Sequence, residues 1–374
     1  MEKNYNKNLF LTLFFILIVL ATNNYFSYEN SLIFGGSDGK FYVLISEYSP
    51  NFGTNIEYIK GERFFFPYFL GIISKLSSID IYLLYQITSI FLIITLILLY
   101  RKILILSKLE NYSYFFFLLL VAFNPYLVRY YLAVPTIIVD LGFIVSLEII
   151  AIGFLKKQNK FFFIGLVIAA LSRQNSIIIL FVFFVIKFIF KNKSVLKYKD
   201  LFLLSSCYLI IFFINTYYAV NSSGNLEEVK NLYSITLFGI LIIDYNFIDL
   251  FRYLYFPLLG FGPLIIITVI LLYFGKFSLN KSEFIIFCLI ASVLLIGIAF
   301  VGGPTTTGKN LIRLSNFAYI YLIVIINAFF QETKDDKNIS TIYLIFSLFL
   351  FFWSLHPTFS KIKFMKFMSN YINF

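Results

Sequence analysis

One histidine, His356, and two cysteines, Cys207 and Cys288, are all the imidazole and thiol groups this chain has. Both cysteines lie inside apolar runs and the histidine stands alone, so neither a disulfide framework nor a His/Cys zinc centre is expected. Charge is scarce too: 13% of the residues are charged and 60% hydrophobic, with a mean hydropathy of +0.88. A soluble domain of that composition would have no polar skin, so the chain belongs in a bilayer. Carboxylates are the scarcer charge, 19 against 30 Lys and Arg, for a formal net charge of +11. That excess does not imply nucleic acid, because the lysines cluster in short segments between apolar runs, where they orient a membrane protein. Phe (50) and Tyr (28) accompany abundant Ile, Lys and Asn and are read as lipid-facing and helix-packing residues.

What is present is a succession of apolar runs of roughly 15 to 20 residues, the length a helix needs to cross about 30 Å of hydrocarbon. The predicted fold is all-α, a polytopic transmembrane helical bundle forming one domain over 1–374. It has about nine full spans plus a short helical hairpin, about eleven membrane helices in all, with interfacial helices in the first outer loop. The spans are expected near 9–25, 80–100, 113–127, 136–155, 201–220, 256–274, 283–301, 315–330 and 340–356. With Lys3 and Lys7 inside, the basic segments at 101–108, 156–160, 187–199, 276–281 and 334–337 all fall on the cytoplasmic side. Long polar segments at 26–79, 221–255 and 302–314 then face outward, and the tail 357–374 lies on the membrane surface. The expected location is the plasma (inner) membrane, multi-pass, with the active site facing away from the cytoplasm.

The segment from Lys156 to Lys193 has lysines at both ends and must cross an even number of times. Its arms, 161–171 and 176–190, are short for full spans, so the tip Ser172-Arg173-Gln174-Asn175 is expected to stop within the membrane profile. An arginine there costs roughly 2.5 to 3.5 kcal/mol on insertion scales and calls for a cavity or a partner. Asp140 and Glu148 lie in the preceding helix. At about 1.5 Å per residue, Glu148 is roughly 12 Å and Arg173 roughly 19 Å from their flanking lysines, and the expected pair is Glu148 with Arg173.

Three outer stretches carry candidate chemistry. In "GGSDGKFY", Gly35, Gly36 and Gly39 are expected to present Asp38 from a loop, where a carboxylate can take a proton from a sugar or lipid hydroxyl. In "GERFFFPYFLG", Glu62 adds a carboxylate and Arg63 a phosphate-binding cation ahead of an apolar interfacial helix that starts at Pro67. In "GGPTTTGKNLIRLSNFAY", Gly303 to Lys309 match the G-x-x-x-x-G-K of a nucleotide loop. Asn310 replaces the magnesium-binding Ser or Thr and a span precedes the loop, so Lys309, Asn310 and Arg313 are read as a phosphate cradle instead. Arg129, in "NPYLVRYYLAVP", joins Glu62, Asp140 and Glu148 as a supporting residue. No cofactor is expected, and the sequence supports no metal site.

These stretches, in order along most of the chain, resemble the GT-C superfamily of integral-membrane glycosyltransferases. The correspondence covers the Asp motif with its tyrosine, the "R...P" segment, "NPYLVRYYLAVP", an acid within the next helix, "AALSRQN", and "GGPTTTGKNLIRL". The resemblance implies transfer of a sugar from a polyprenyl-phosphate donor to a glycan, lipid or other cell-envelope acceptor, with membrane lipids as the surroundings. It makes Asp38 the base for inverting attack and Arg63, Arg173, Lys309 and Arg313 the holders of the leaving phosphate. Two positions depart from it: Gly39 stands where a second acid can follow, against a metal-dependent variant, and Gln174 stands where Glu is frequent. No large soluble domain follows the last expected helix, which argues against recognition of a protein acceptor sequon. A surface-polysaccharide polymerase or ligase using polyprenyl-pyrophosphate oligosaccharides, and a lipid-linked sugar transporter, are the alternatives.

Overall fold

The computed structural model describes residues 38–107, 131–132, 134–223, 282–301, 314–333 and 345. Everything regular among them is helical. Three helices are long and apolar enough to cross a bilayer: Ile81–Leu106, Pro135–Lys156 and Tyr198–Ser223. They coincide with three of the expected spans. Helices also occupy Glu283–Val301 and Tyr319–Thr333, where two more were expected. The expected spans at 9–25, 113–127, 256–274 and 340–356, and the surface tail, lie outside the described residues, apart from residue 345.

In chain order the helices are α1 (Asp38–Tyr48), α2 (Tyr58–Gly61), α3 (Phe65–Ser77), α4 (Ile81–Leu106) and α5 (Ile138–Lys156). Then come α6 (Asn159–Ser172), α7 (Ser176–Phe190), α8 (Tyr198–Ser223), α9 (Glu283–Val301) and α10 (Tyr319–Thr333). Local chemistry marks several ends. Asp80 caps α4 by accepting from the amides of Tyr82 and Leu83, both at 3.0 Å. At the other end of the bundle, α5 stops at Lys156 with Lys157 in the left-handed region (φ 54°), two cations at a helix C-terminus where they complement its dipole.

α5 is the axis of the bundle. Its residues are buried almost throughout, and it packs against α4 and α6. By contrast α4 turns Leu83, Ile87, Phe91, Ile94 and Leu98 outward, a stripe at helical spacing that is apolar and exposed. The same holds for Phe202, Leu209, Phe213 and Tyr217 on α8. Faces of that kind suit lipid as solvent.

α6 and α7 form the short hairpin. With 14 and 15 residues they are roughly 21 to 22 Å long, well under the hydrocarbon thickness, and the turn between them is buried at Arg173. α1 and α3 lie together against the end of α4, tied at Ser46. Its hydroxyl donates to the Pro67 carbonyl at 2.7 Å and lies 2.8 Å from the Tyr85 hydroxyl, which itself donates to the Tyr42 carbonyl at 2.9 Å. Gly71 makes this approach possible: a Cβ there would collide with the backbone of Ser46, whose carbonyl carbon and Cα would lie 2.7 and 2.8 Å away. α3 occupies the place of the apolar helix expected from Pro67, although it begins at Phe65, two residues earlier.

Candidate functional site

Asp38 opens α1 and is only 5% exposed. This corrects the expectation of a carboxylate presented from a loop. A negative side chain in the first turn of a helix is favoured by the unpaired amides and dipole there, and the helical register sets Tyr42 on the same face one turn on. Gly39 packs α1 onto Thr136 of the turn that precedes α5. Gly35 and Gly36 lie outside the described residues.

The second strand of the site comes from the short α2 and the turn after it. α2 docks on the end of α8, where Gly61 leaves room for the backbone of Ala219; a Cβ would stand 2.9 Å from its Cα. Phe64 stacks on Tyr218 with ring centroids 4.0 Å apart and planes 5° from parallel. This anchorage fixes the run from Lys60 to Arg63 against the head of α1. Lys60 Nζ then pairs with Asp38 Oδ1 at 2.7 Å, its side chain 12% exposed against 6% for the carboxylate.

The hairpin tip supplies the third wall. Gln174 accepts from Arg63 Nε at 2.9 Å and donates from Nε2 to Glu62 Oε2 at 2.6 Å and to the Ile59 carbonyl at 3.1 Å. One amide therefore serves a cation and an anion that are neighbours in sequence, which a carboxylate could not do. Beside it, Arg173 pairs with Asp140 of α5, the two side chains 2% and 1% exposed. The guanidinium also lies over the Phe317 ring, 4.9 Å from its centroid.

This pairing corrects the expected Glu148–Arg173 contact. Asp140 sits in the first turn of α5, level with the tip, whereas Glu148 is eight residues, or about 12 Å, farther along the axis. Both Glu148 carboxylate oxygens are buried with no hydrogen-bond partner among the described residues.

Arg63 is distinctive among these charges. It is 6% exposed, and its hydrogen bonds run to Gln174 and, at 3.4 Å, to the Tyr42 hydroxyl, both neutral. Among the described residues it forms no ion pair. Burial works against its charge, but the Tyr42 hydroxyl that accepts its hydrogen bond and the Asp38 and Asp140 carboxylates outweigh that and hold the guanidinium above its ordinary value. Burial pushes the Tyr42 phenol up, so it stays a neutral hydroxyl. Lys60 moves the other way: burial, with the Arg63 charge adding to it, lowers its ammonium below the ordinary lysine value, against the pull of Asp38.

Of the site residues expected from sequence, Asp38, Glu62, Arg63, Asp140 and Arg173 converge here. Glu148 stands apart within α5. Arg129, Lys309, Asn310 and Arg313 lie outside the described residues. Among the described residues no group of three His, Cys, Asp or Glu side chains converges as metal ligands would. Lys60, Tyr42 and Gln174 were not singled out from sequence as members of the site. The signal for Tyr42 was its spacing of four from Asp38; for Lys60 it was its spacing of three from Arg63 in "YIKGER".

Chemically the cluster sets a buried carboxylate and a buried guanidinium in each other's field, with the slightly more exposed Lys60 ammonium paired to the carboxylate. It can bind an anion next to a proton acceptor. Compared with family models, with curated proteins and with solved structures, the chain matches none.

Proposed function

We propose that this chain is an integral-membrane glycosyltransferase that moves a sugar from a polyprenyl-phosphate donor to a hydroxyl of a cell-envelope acceptor at the non-cytoplasmic face of the membrane. The observation that carries this reading is Arg63, a buried cation whose hydrogen bonds go to neutral partners, close to the carboxylate of Asp38. Carboxylates lie in its field but none among the described residues is in direct contact, so its remaining N–H donors can take an anionic substrate with charge-assisted hydrogen bonds. The GT-C resemblance assigns both residues the same roles.

In the reaction, Asp38 takes the proton of the acceptor hydroxyl while the oxygen attacks the anomeric carbon from the face opposite the phosphate. The bond from that carbon to the phosphate oxygen breaks and its electron pair leaves with the phosphate. Negative charge builds on the phosphate as the bond breaks, so a guanidinium already held in place by Gln174 and Tyr42 favours the transition state over the ground state. The apolar outer faces of α4 and α8 keep the site at the bilayer, where the polyprenyl chain of the donor resides.

The test uses the full chain in lipid nanodiscs with a panel of radiolabelled polyprenyl-phosphate sugars and crude envelope acceptor. Wild type is expected to move label to the acceptor, and Asp38→Asn to lower the rate by about 10²- to 10⁴-fold, the usual contribution of a general base. No transfer by wild type with any donor would overturn the function; equal rates would remove Asp38 from the chemistry.

A further inference from the structure

Lys60 and Arg63 are both cations close to Asp38, yet they are held differently. Arg63 is 6% exposed and clamped by Gln174 and Tyr42. Lys60 has its ion pair to Asp38 at 2.7 Å, a more exposed side chain, and a flexible four-carbon stem rooted in a helix of only four residues. The ammonium sits on the very carboxylate that must receive a proton. A base in that state is blocked, since a carboxylate paired with an ammonium is a weaker proton acceptor than one without.

We propose that Lys60 exchanges partners during catalysis, leaving Asp38 for the donor phosphate that Arg63 has bound, so that the anion itself uncovers the base. This rests on the glycosyl-transfer reading above and adds to it a positioning residue and an order of events. Arg63 follows Lys60 by one tight turn, its amide donating to the Lys60 carbonyl at 3.0 Å, so the two cations leave the same turn and one phosphate can be shared by both. In the bound donor the phosphate is a diester with one negative charge. When the bond to the anomeric carbon breaks, the electron pair stays on the phosphate and makes it a monoester of nearly two charges. The acceptor proton goes to Asp38. Lys60 therefore gains attraction to the phosphate as the reaction proceeds, and its return to Asp38 is opposed until the proton and the spent carrier have left.

The experiment reads the partner of Lys60 directly. A water-soluble carbodiimide joins a paired amine and carboxylate as an amide, taking up the lost water as its urea. Full-length protein in nanodiscs is treated with the reagent in large excess, and the Lys60–Asp38 amide is quantified by peptide mass spectrometry. Three samples are compared: no ligand, polyprenyl phosphate, and polyprenol of the same chain length. Retention of radiolabelled polyprenyl phosphate is measured alongside. The amide is expected without ligand and with polyprenol, and is lost with polyprenyl phosphate. In Arg63→Met, which no longer retains the phosphate, the amide returns despite the phosphate present, showing that reagent depletion is not the cause. Lys60→Arg yields no amide and fixes the assignment. Retention of the phosphate with an undiminished amide would overturn the exchange and leave the transfer reading intact. Failure of wild type to retain the phosphate would overturn both.

Discussion

Replacing Arg173 with methionine leaves the Asp140 carboxylate without its guanidinium in a site where the two side chains are 2% and 1% exposed. Solvent cannot screen so deep a pair, and breaking one by removing a single partner costs about 3–5 kcal/mol. Arg173 also covers the Phe317 ring, which stands at the foot of α10 and meets Phe143 of α5 edge-on at 5.0 Å, so the loss reaches the packing of α5 against α10. Cys288 reports on it: the thiol is fully buried in α9, which packs on α10. In a Cys207→Ser background, the rate at which a fluorogenic maleimide labels Cys288 under native conditions follows the opening equilibrium. The cost above raises that rate by roughly a hundredfold to several thousandfold. Asp140→Leu combined with Arg173→Met removes both charges and should label more slowly than Arg173→Met alone. Glu148→Gln, which leaves the pair intact, should label close to the background rate. Equal labelling of Arg173→Met and Glu148→Gln, or single effects that simply add in the double variant, would refute the assignment of Asp140 as the partner.

Two further outcomes concern the anion site. Gln174→Glu places a carboxylate on Arg63 and against Glu62, so retention of polyprenyl phosphate should fall by roughly tenfold, about 1.4 kcal/mol, with Gln174→Ala less affected; unchanged retention would show that Arg63 does not hold the phosphate. Alkaline pH acts through Lys60: only the ammonium attracts a phosphate, and its value in the folded protein is below the ordinary 10.5. Affinity should be full below that lowered value and fall as pH rises through it, while Lys60→Arg, charged throughout, keeps its affinity over the same range; identical profiles would remove Lys60 from the site.

The residues of the chain determined, without help from the fold, that it is helical with segments long and apolar enough to cross a membrane, and where several helices run. Transfer energy is additive over a segment, so the apolar stretches at 81–106, 135–156 and 198–223 are legible one at a time, and so are the short arms that flank Arg173. Asp38, Arg63 and Arg173 stood out for a related reason, since a charge beside long apolar runs is costly and conspicuous. Which charge meets which was decided by packing alone. α5 is apolar around its whole circumference, so its pattern does not say which face meets the hairpin, and only the level of the tip selects Asp140 over Glu148. Gln174 reaches Arg63 across 111 residues of chain, and Lys60 reaches Asp38 because Gly61 lets α2 settle on α8. Contacts of that range depend on how helices cross, a property of several segments at once that no single stretch encodes.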